Sequence, residues 1–248
     1  MKLHQSISHL TKQEQTDLRY IVKTISAGLQ PALVFCFGIR LSQQLRRSCF
    51  TQKRRNESHH AVYDLLIILH DNDTLQEDTA ATVAQRMIGD AIKTNMLVHR
   101  FSVMKEKLPQ MNFFFSWMHR SAILLINRDN SLSQLLPQKK KTDILPVSKE
   151  TFVTIKEGLD KAKSLLAAIQ EQWPSQSYDL TLQTIREAAG EIMKALIKTG
   201  LGYEARNCSV ATMIKLTENF SDMVSVLFPG NTAEERQLYL LLTEAGYR

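Results

Sequence analysis

Pro31-Ala32-Leu33-Val34-Phe35-Cys36-Phe37-Gly38 decides how the first half of the chain is read. A continuous apolar run bounded by proline and glycine is the pattern of a buried strand feeding a turn. Upstream, Leu18, Val22 and Ile25 recur near a helical period, and Thr11 stands three residues before Glu14, the spacing of a capping box. A first helix is therefore expected over Thr11–Leu29, stopped by Pro31. Downstream, a polar and basic segment, Gln43–His60, leads into Val62–Leu69, which reads as a second buried strand. Asp73–Thr94 reads as a helix with Ala81, Ala84, Ile88 and Ile92 on one face, and Met96–Val98, running on to Phe101, as a third strand. Strand, helix and strand in that order predict an α+β domain, with helices covering a small mixed sheet.

Past Arg128 the pattern changes. Residues 128–149 are rich in Asn, Ser, Gln and Lys and contain Pro137 and Pro146, which predicts a linker between a first domain, 1–127, and a second, 150–248. The second domain shows only helical spacing. Phe152, Ile155, Leu159, Ala162, Leu166 and Ile169 form one stripe, and Leu182, Ile185, Ala189, Ile192 and Leu196 form another, broken by Gly200 and Gly202. Val210, Met213, Phe220, Val224 and Leu227 make a third. Thr232–Tyr247 makes a fourth, with Thr232 and Glu235 at capping-box spacing. Four helices with short connections predict a bundle.

Composition narrows the function classes. In 248 residues the hydrophobic share is 44%, enough for a core. The segment Met1–Gln15 has no continuous apolar stretch of the kind a signal peptide needs, and Pro31–Ile39 and Leu65–Leu69 are far too short to span a bilayer, so a cytoplasmic protein with no membrane partner is expected. Cys36, Cys49 and Cys208 have no C-x-x-C spacing, which argues against a disulfide framework and a structural zinc site. The formal charge of +6 is unevenly spread: Arg46, Arg47, Lys53, Arg54 and Arg55 cluster, and Lys139, Lys140 and Lys141 form a second run. The first cluster is the candidate polyanion-binding segment.

Phe37-Gly38-Ile39-Arg40 and Val62-Tyr63-Asp64-Leu65-Leu66 resemble the motif regions of minimal, DNA-polymerase-beta-like nucleotidyltransferases. Leu227-Phe228-Pro229, followed by Ala233-Glu234-Glu235-Arg236 and by Leu238, Tyr239, Leu241, Leu242 and Ala245, resembles the last helical part of a HEPN domain. Phe113-Phe114-Phe115 and Ala122–Leu125 fit the end of the first domain in bacterial fusions of the two. The resemblance implies a nucleotidyltransferase-like domain followed by an all-α HEPN-like bundle that forms a homodimer. It also implies a cleft that holds a nucleotide or RNA through Gly38, Arg40 and Asp64.

The catalytic parts of that pattern are missing. Nucleotidyl transfer needs carboxylates that hold two metal ions around the phosphorus. The family's Gly-Ser turn reads Gly38-Ile39 here, and its Asp-x-Asp reads Val62-Tyr63-Asp64. Asp64 is the only retained catalytic candidate, and the next strand, Met96 to Phe101, offers no carboxylate. No metal site is expected, and magnesium would be needed only by an active transferase that drew ligands from Asp71, Asp73 or Asp90. Glu106 also flanks the third strand. Asp71 and Asp73 form an Asp-x-Asp of their own, but Asp73 with Gln76 has the spacing of a helix cap.

HEPN ribonucleases use an Arg followed by a His, yet no histidine occurs after His119, and Cys208 in Arg206–Val210 takes the histidine's place. An arginine near Cys208 would lower its pKa, but no base is near it in sequence, and inert thiols are common. Arg54 and His59, like Arg55 and His60, have an Arg-x4-His spacing inside the polar segment, where a solvated basic loop is the simpler reading. His70 and His99 fall at strand ends, where structural roles predominate. The expectation is a non-catalytic protein of this type with a nucleotide-binding, RNA-binding or regulatory role. An active metal-dependent transferase and an RNA-binding or RNA-cleaving toxin-like protein are the alternatives.

Overall fold

The computed structural model describes residues 7–41, 45–48, 61–107, 112–128, 149–172, 178–205, 208–221, 224, 226 and 232–244. The chain divides into two compact units, Met1–Lys141 and Thr142–Arg248. The first is a mixed sheet with helices, and the described part of the second is helical.

The first unit begins with α1, Lys12–Gly28, whose capping box forms: the Thr11 N–H donates to Glu14 Oε2 at 2.7 Å, and the Glu14 N–H donates to Thr11 Oγ1 at 3.3 Å. The helix buries Leu18, Ile21, Val22 and Ile25. After it come β1 (Leu33–Leu41), β2 (Leu45–Ser48), β3 (Ala61–Leu69), α2 (Glu77–Ile88), β4 (Lys93–Arg100), α3 (Phe101–Lys107), α4 (Asn112–Ser121) and β5 (Ile123–Asn127). The sheet order is β2-β1-β3-β4, and β5 also pairs with β1. β1 is antiparallel to β2, β3 and β5, and β3 is parallel to β4.

Several boundaries differ from the sequence reading. No turn follows Phe37: β1 runs through Gly38 to Leu41, because its far end gains β2 and β3 as hydrogen-bonding neighbours. The helix expected over Asp73–Thr94 is shorter. It starts at Glu77 and is closed by Gly89 at a φ of 74°, a conformation that glycine adopts without steric cost. Asp73 does not cap it. Its Oδ1 accepts from the Leu75 N–H at 3.0 Å in the turn before, and the N-cap residue, Gln76, makes no side-chain cap.

A bulge in β1 decides which side chains share a face of the sheet. Cys36 pairs with Leu65, but Gly38 pairs with Asp64, so Phe37 is an extra residue and the alternation of faces inverts after it. On one face Val34, Cys36 and, past the bulge, Ile39 join Tyr63, Leu65 and Ile67 in the core under α1 and α2. On the other, Phe37 meets Phe114 of α4 edge to face, with ring centroids 6.3 Å apart. The Tyr63 hydroxyl donates to Asp17 at 2.7 Å and ties β3 to α1.

The second unit contains α5 (Lys149–Gln172), α6 (Tyr178–Leu201), α7 (Val210–Thr217) and α8 (Ala233–Glu244). Gly158 lies against Ala195 while Lys161 reaches Glu191, so α5 and α6 run antiparallel. A Cβ on Gly158 would come within 2.9 Å of the Ala195 methyl, so this glycine sets how closely the two helices approach. Gly200 does not break α6. It lies in the last turn, under the ring of Phe220, and Gly202 ends the helix at a φ of 63°. The third stripe is not one helix over Val210–Leu227: α7 stops at Thr217, where the Thr217 carbonyl accepts from the Phe220 and Ser221 N–H groups. That turn buries Asn219 and sends Phe220 against Gly200. At α8 the expected cap forms, with Thr232 N–H donating to Glu235 Oε2 and Glu235 N–H to Thr232 Oγ1. Of the linker expected over 128–149, only Arg128 and Lys149 are among the described residues. No helix among the described residues is long and apolar enough to cross a membrane.

Candidate functional site

Gly38, Arg40 and Asp64 do come together. Gly38 is the ladder partner of Asp64, and Arg40, two residues on, pairs with Val62. The inversion at Phe37 puts Arg40 on the same face as Asp64, and both are buried. Arg40 Nε donates to Asp64 Oδ2 at 2.8 Å and Nη2 donates to Oδ1 at 2.9 Å, a two-point ion pair. Asn95, the residue of β4 in register with Asp64, donates from Nδ2 to Oδ1 at 3.0 Å.

Among the described residues this arrangement fits a structural ion-pair network and does not fit a metal centre. A two-metal clamp needs several hard oxygen ligands facing one point. Among the described residues the positions around Asp64 hold a guanidinium, an amide and, at the other half of the expected Asp-x-Asp, Val62. A fixed cation already balances the carboxylate, and both of its oxygens are engaged. Ile39, at the position where the family pattern has serine, packs into the core beneath α1 and α2 and is turned away from Asp64.

The other acidic candidates are scattered. Asp71 Oδ1 accepts from the Ser102 N–H at 2.8 Å at the start of α3, and hydrogen bonds from Ser102 hold the Asp71 carboxyl below its ordinary value. Asp73 serves its own turn, Asp90 is exposed after α2, and Glu106 is exposed on α3. Among the described residues no three His, Cys, Asp or Glu side chains gather where they could hold a metal ion. His99 is buried with Nδ1 3.6 Å from Glu77 Oε2, and Glu77 Oε1 accepts from the Arg100 N–H. His70 is half-buried at the end of β3.

Of the basic cluster, Arg46 and Arg47 belong to β2, opposite Arg40 and Ile39 in the ladder. Lys53, Arg54 and Arg55 lie outside the described residues, as do His59, His60 and the run Lys139–Lys141. In the second unit Cys208 is a half-buried thiol just before Ser209, which caps α7 by accepting from the Thr212 N–H at 3.1 Å. Arg206 lies outside the described residues.

The sequence reading missed two features. Asn95 fell between an overlong helix and a strand begun too late, so its register with Asp64 was hidden. The second is a groove of about 470 Å³ between α5 and α6, lined by Gly158, Lys161, Glu191, Lys194, Lys198 and Glu204 among others. Its charges are matched internally: Glu191 bridges Lys194 at 2.8 Å and Lys161 at 3.2 Å, and Lys198 lies 3.4 Å from Glu204.

No family model, no curated protein and no solved structure matches the chain.

Proposed function

We propose that this is a non-catalytic nucleotidyltransferase–HEPN-type protein of the cytoplasm that acts by binding, as an RNA- or nucleotide-binding regulator that pairs with a second copy of itself. The observation that carries the non-catalytic part is the engagement of both Asp64 oxygens by Arg40 and Asn95. A carboxylate held by a buried guanidinium is a poor ligand for a divalent cation, because binding the metal would first require stripping away its counter-charge. Loss of histidine throughout the second unit removes the base that HEPN ribonucleases use. Cysteines kept as thiols at positions 36 and 208 suit a reducing compartment.

Gly38, Arg40 and Asp64 are committed to one another, so recognition of a polyanion falls to Arg46, Arg47, Lys53, Arg54 and Arg55. Such a cluster engages phosphates, and its binding is sensitive to salt. The test combines two measurements on the full chain. Labelled ATP with magnesium or manganese gives no transfer of AMP to protein or RNA. Binding of single-stranded RNA weakens steeply with salt, and the Arg54→Gln, Arg55→Gln double variant flattens the log–log salt slope by about 0.7 for each phosphate no longer neutralised. Metal-dependent incorporation that disappears in a folded Asp64→Asn variant would overturn the proposal, as would RNA binding indifferent to both salt and these arginines.

A further inference from the structure

α4 holds more aromatic side chains than its core packing uses. Phe114, Phe115 and Met118 are buried, and Phe114 meets Phe37 of β1. Phe113, Trp117 and Arg120 follow one another at steps of four and three residues, so they line a single face of the helix; the two rings are half-buried and Arg120 is exposed. They form one column. Phe113 stacks on Trp117 with centroids 5.8 Å apart and planes 25° from parallel, and the Arg120 guanidinium carbon lies 4.7 Å from the Trp117 ring centroid. An indole braced in this way gives up little freedom when another flat ring joins it.

The positive charge of the chain lies in the same unit. Residues 1–141 carry twenty Lys and Arg against eleven Asp and Glu, a formal +9, whereas residues 142–248 carry eleven against fourteen, a formal −3. Within the first unit the column and the basic segment adjoin. Phe37, the contact of Phe114, is next to Gly38, which pairs with Ser48, and Arg47 and Arg46 follow in register with Ile39 and Arg40. The Cα atoms of these two arginines therefore stand roughly 10 Å from that of Phe37, at about 3.3 Å per residue along a strand and about 4.8 Å between strands.

We propose that the column of Phe113, Trp117 and Arg120 is a stacking site for an unpaired base of single-stranded RNA whose phosphates run on to the basic segment. The chemistry selects this ligand. A nucleobase offers a π face to the indole and to the guanidinium, and the neighbouring phosphate offers a negative charge to the same arginine. Charge attraction alone holds any polyanion, and a ring column beside it separates those with bases from those without. Arg120 lies at the surface, which suits a strand passing over the column rather than a mononucleotide that a pocket must enclose.

This inference rests on the RNA-binding part of the proposed function and gives it a base contact, and its test reads bases separately from phosphates. Trp173→Phe leaves Trp117 as the only tryptophan of the chain. Oligoadenylate RNA titrated into that variant quenches the fluorescence along the same curve as the anisotropy of labelled RNA. Trp117→Leu raises the Kd by about 5- to 150-fold, the contribution of one stacked base, and leaves the salt slope unchanged, because an indole releases no counterion. Trp117→Tyr keeps most of the affinity. On the parent chain, an abasic strand of equal length binds more weakly than oligoadenylate by a similar factor, a comparison that stands even if Trp117→Leu does not fold.

Salt-steep binding that needs Arg54 and Arg55, yet neither quenches Trp117 nor favours the strand with bases, overturns this inference and leaves the proposed function intact. AMP that quenches at the same concentrations as the oligonucleotide overturns the assignment to a strand. Absence of any RNA binding overturns the inference together with the reading on which it rests.

Discussion

Arg40 and Asp64 meet diagonally across neighbouring strands, each two positions from the other's ladder partner, and close a two-point ion pair whose members are both buried. Removing one member strands the other's charge, and such changes cost about 3–5 kcal/mol. Asp64→Leu and Arg40→Met should each destabilise the first unit by that order in urea unfolding. The double variant should recover most of the loss, because an apolar pair of similar volume leaves no charge behind. A double variant as unstable as the sum of the singles would show that the two residues do not act as a coupled pair.

Tyr63 makes stability fall at high pH. Burial, and then its hydrogen bond to Asp17, hold the phenol far above its ordinary value of 10.0. A raised folded-state value means that the unfolded chain loses this proton first, so the stabilisation is complete below about pH 10 and drains away as pH climbs beyond it. Urea midpoints measured from pH 8 to 11 should decline more steeply for the parent chain than for Tyr63→Phe, which has no proton to lose at this position.

The bridge from Glu191 to Lys194 and Lys161 acts at the other end of the scale. Hydrogen bonds, first from Lys194 and then from Lys161, hold its carboxyl below the ordinary 4.5. The stability that it lends to the α5–α6 pair is therefore present above that value and lost as pH falls through the lowered one. Glu191→Gln should be less stable than the parent at pH 7, and the gap should close progressively below pH 4.5 in thermal melts.

Gly200 offers a test of packing against propensity. Alanine is the better helix former by up to about 1 kcal/mol. At this position, however, its methyl group would stand 2.3 Å from the Phe220 ring. Gly200→Ala should come out destabilised by about 1–3 kcal/mol, as overpacked sites do. Pairing it with Phe220→Leu should return part of that loss, and thermal denaturation of the two variants decides it.

Local signals were legible in the sequence. The Thr11–Glu14 and Thr232–Glu235 boxes form where their spacing put them, and the apolar runs before Gly38 and after Ala61 are strands. Periodicity misjudged ends, because what ends α2 and α7 is a glycine's left-handed backbone and a turn that docks Phe220 on another helix. At the site, Asp64 and Gly38 were visible as parts of a motif resemblance. The partnership with Arg40 and Asn95 was not, since it joins residues 24 and 31 positions apart and depends on registers that composition cannot supply.

The additional residue in β1 has an evolutionary reading. A strand lacking Phe37 would set Cys36 opposite Leu65 and Gly38 opposite Asp64 in one unbroken ladder, so Ile39 and Arg40 would keep the faces they have now. The kink is thus how the strand accommodates an insertion without unseating the guanidinium from its carboxylate, and what the inserted residue adds is the aromatic contact with Phe114.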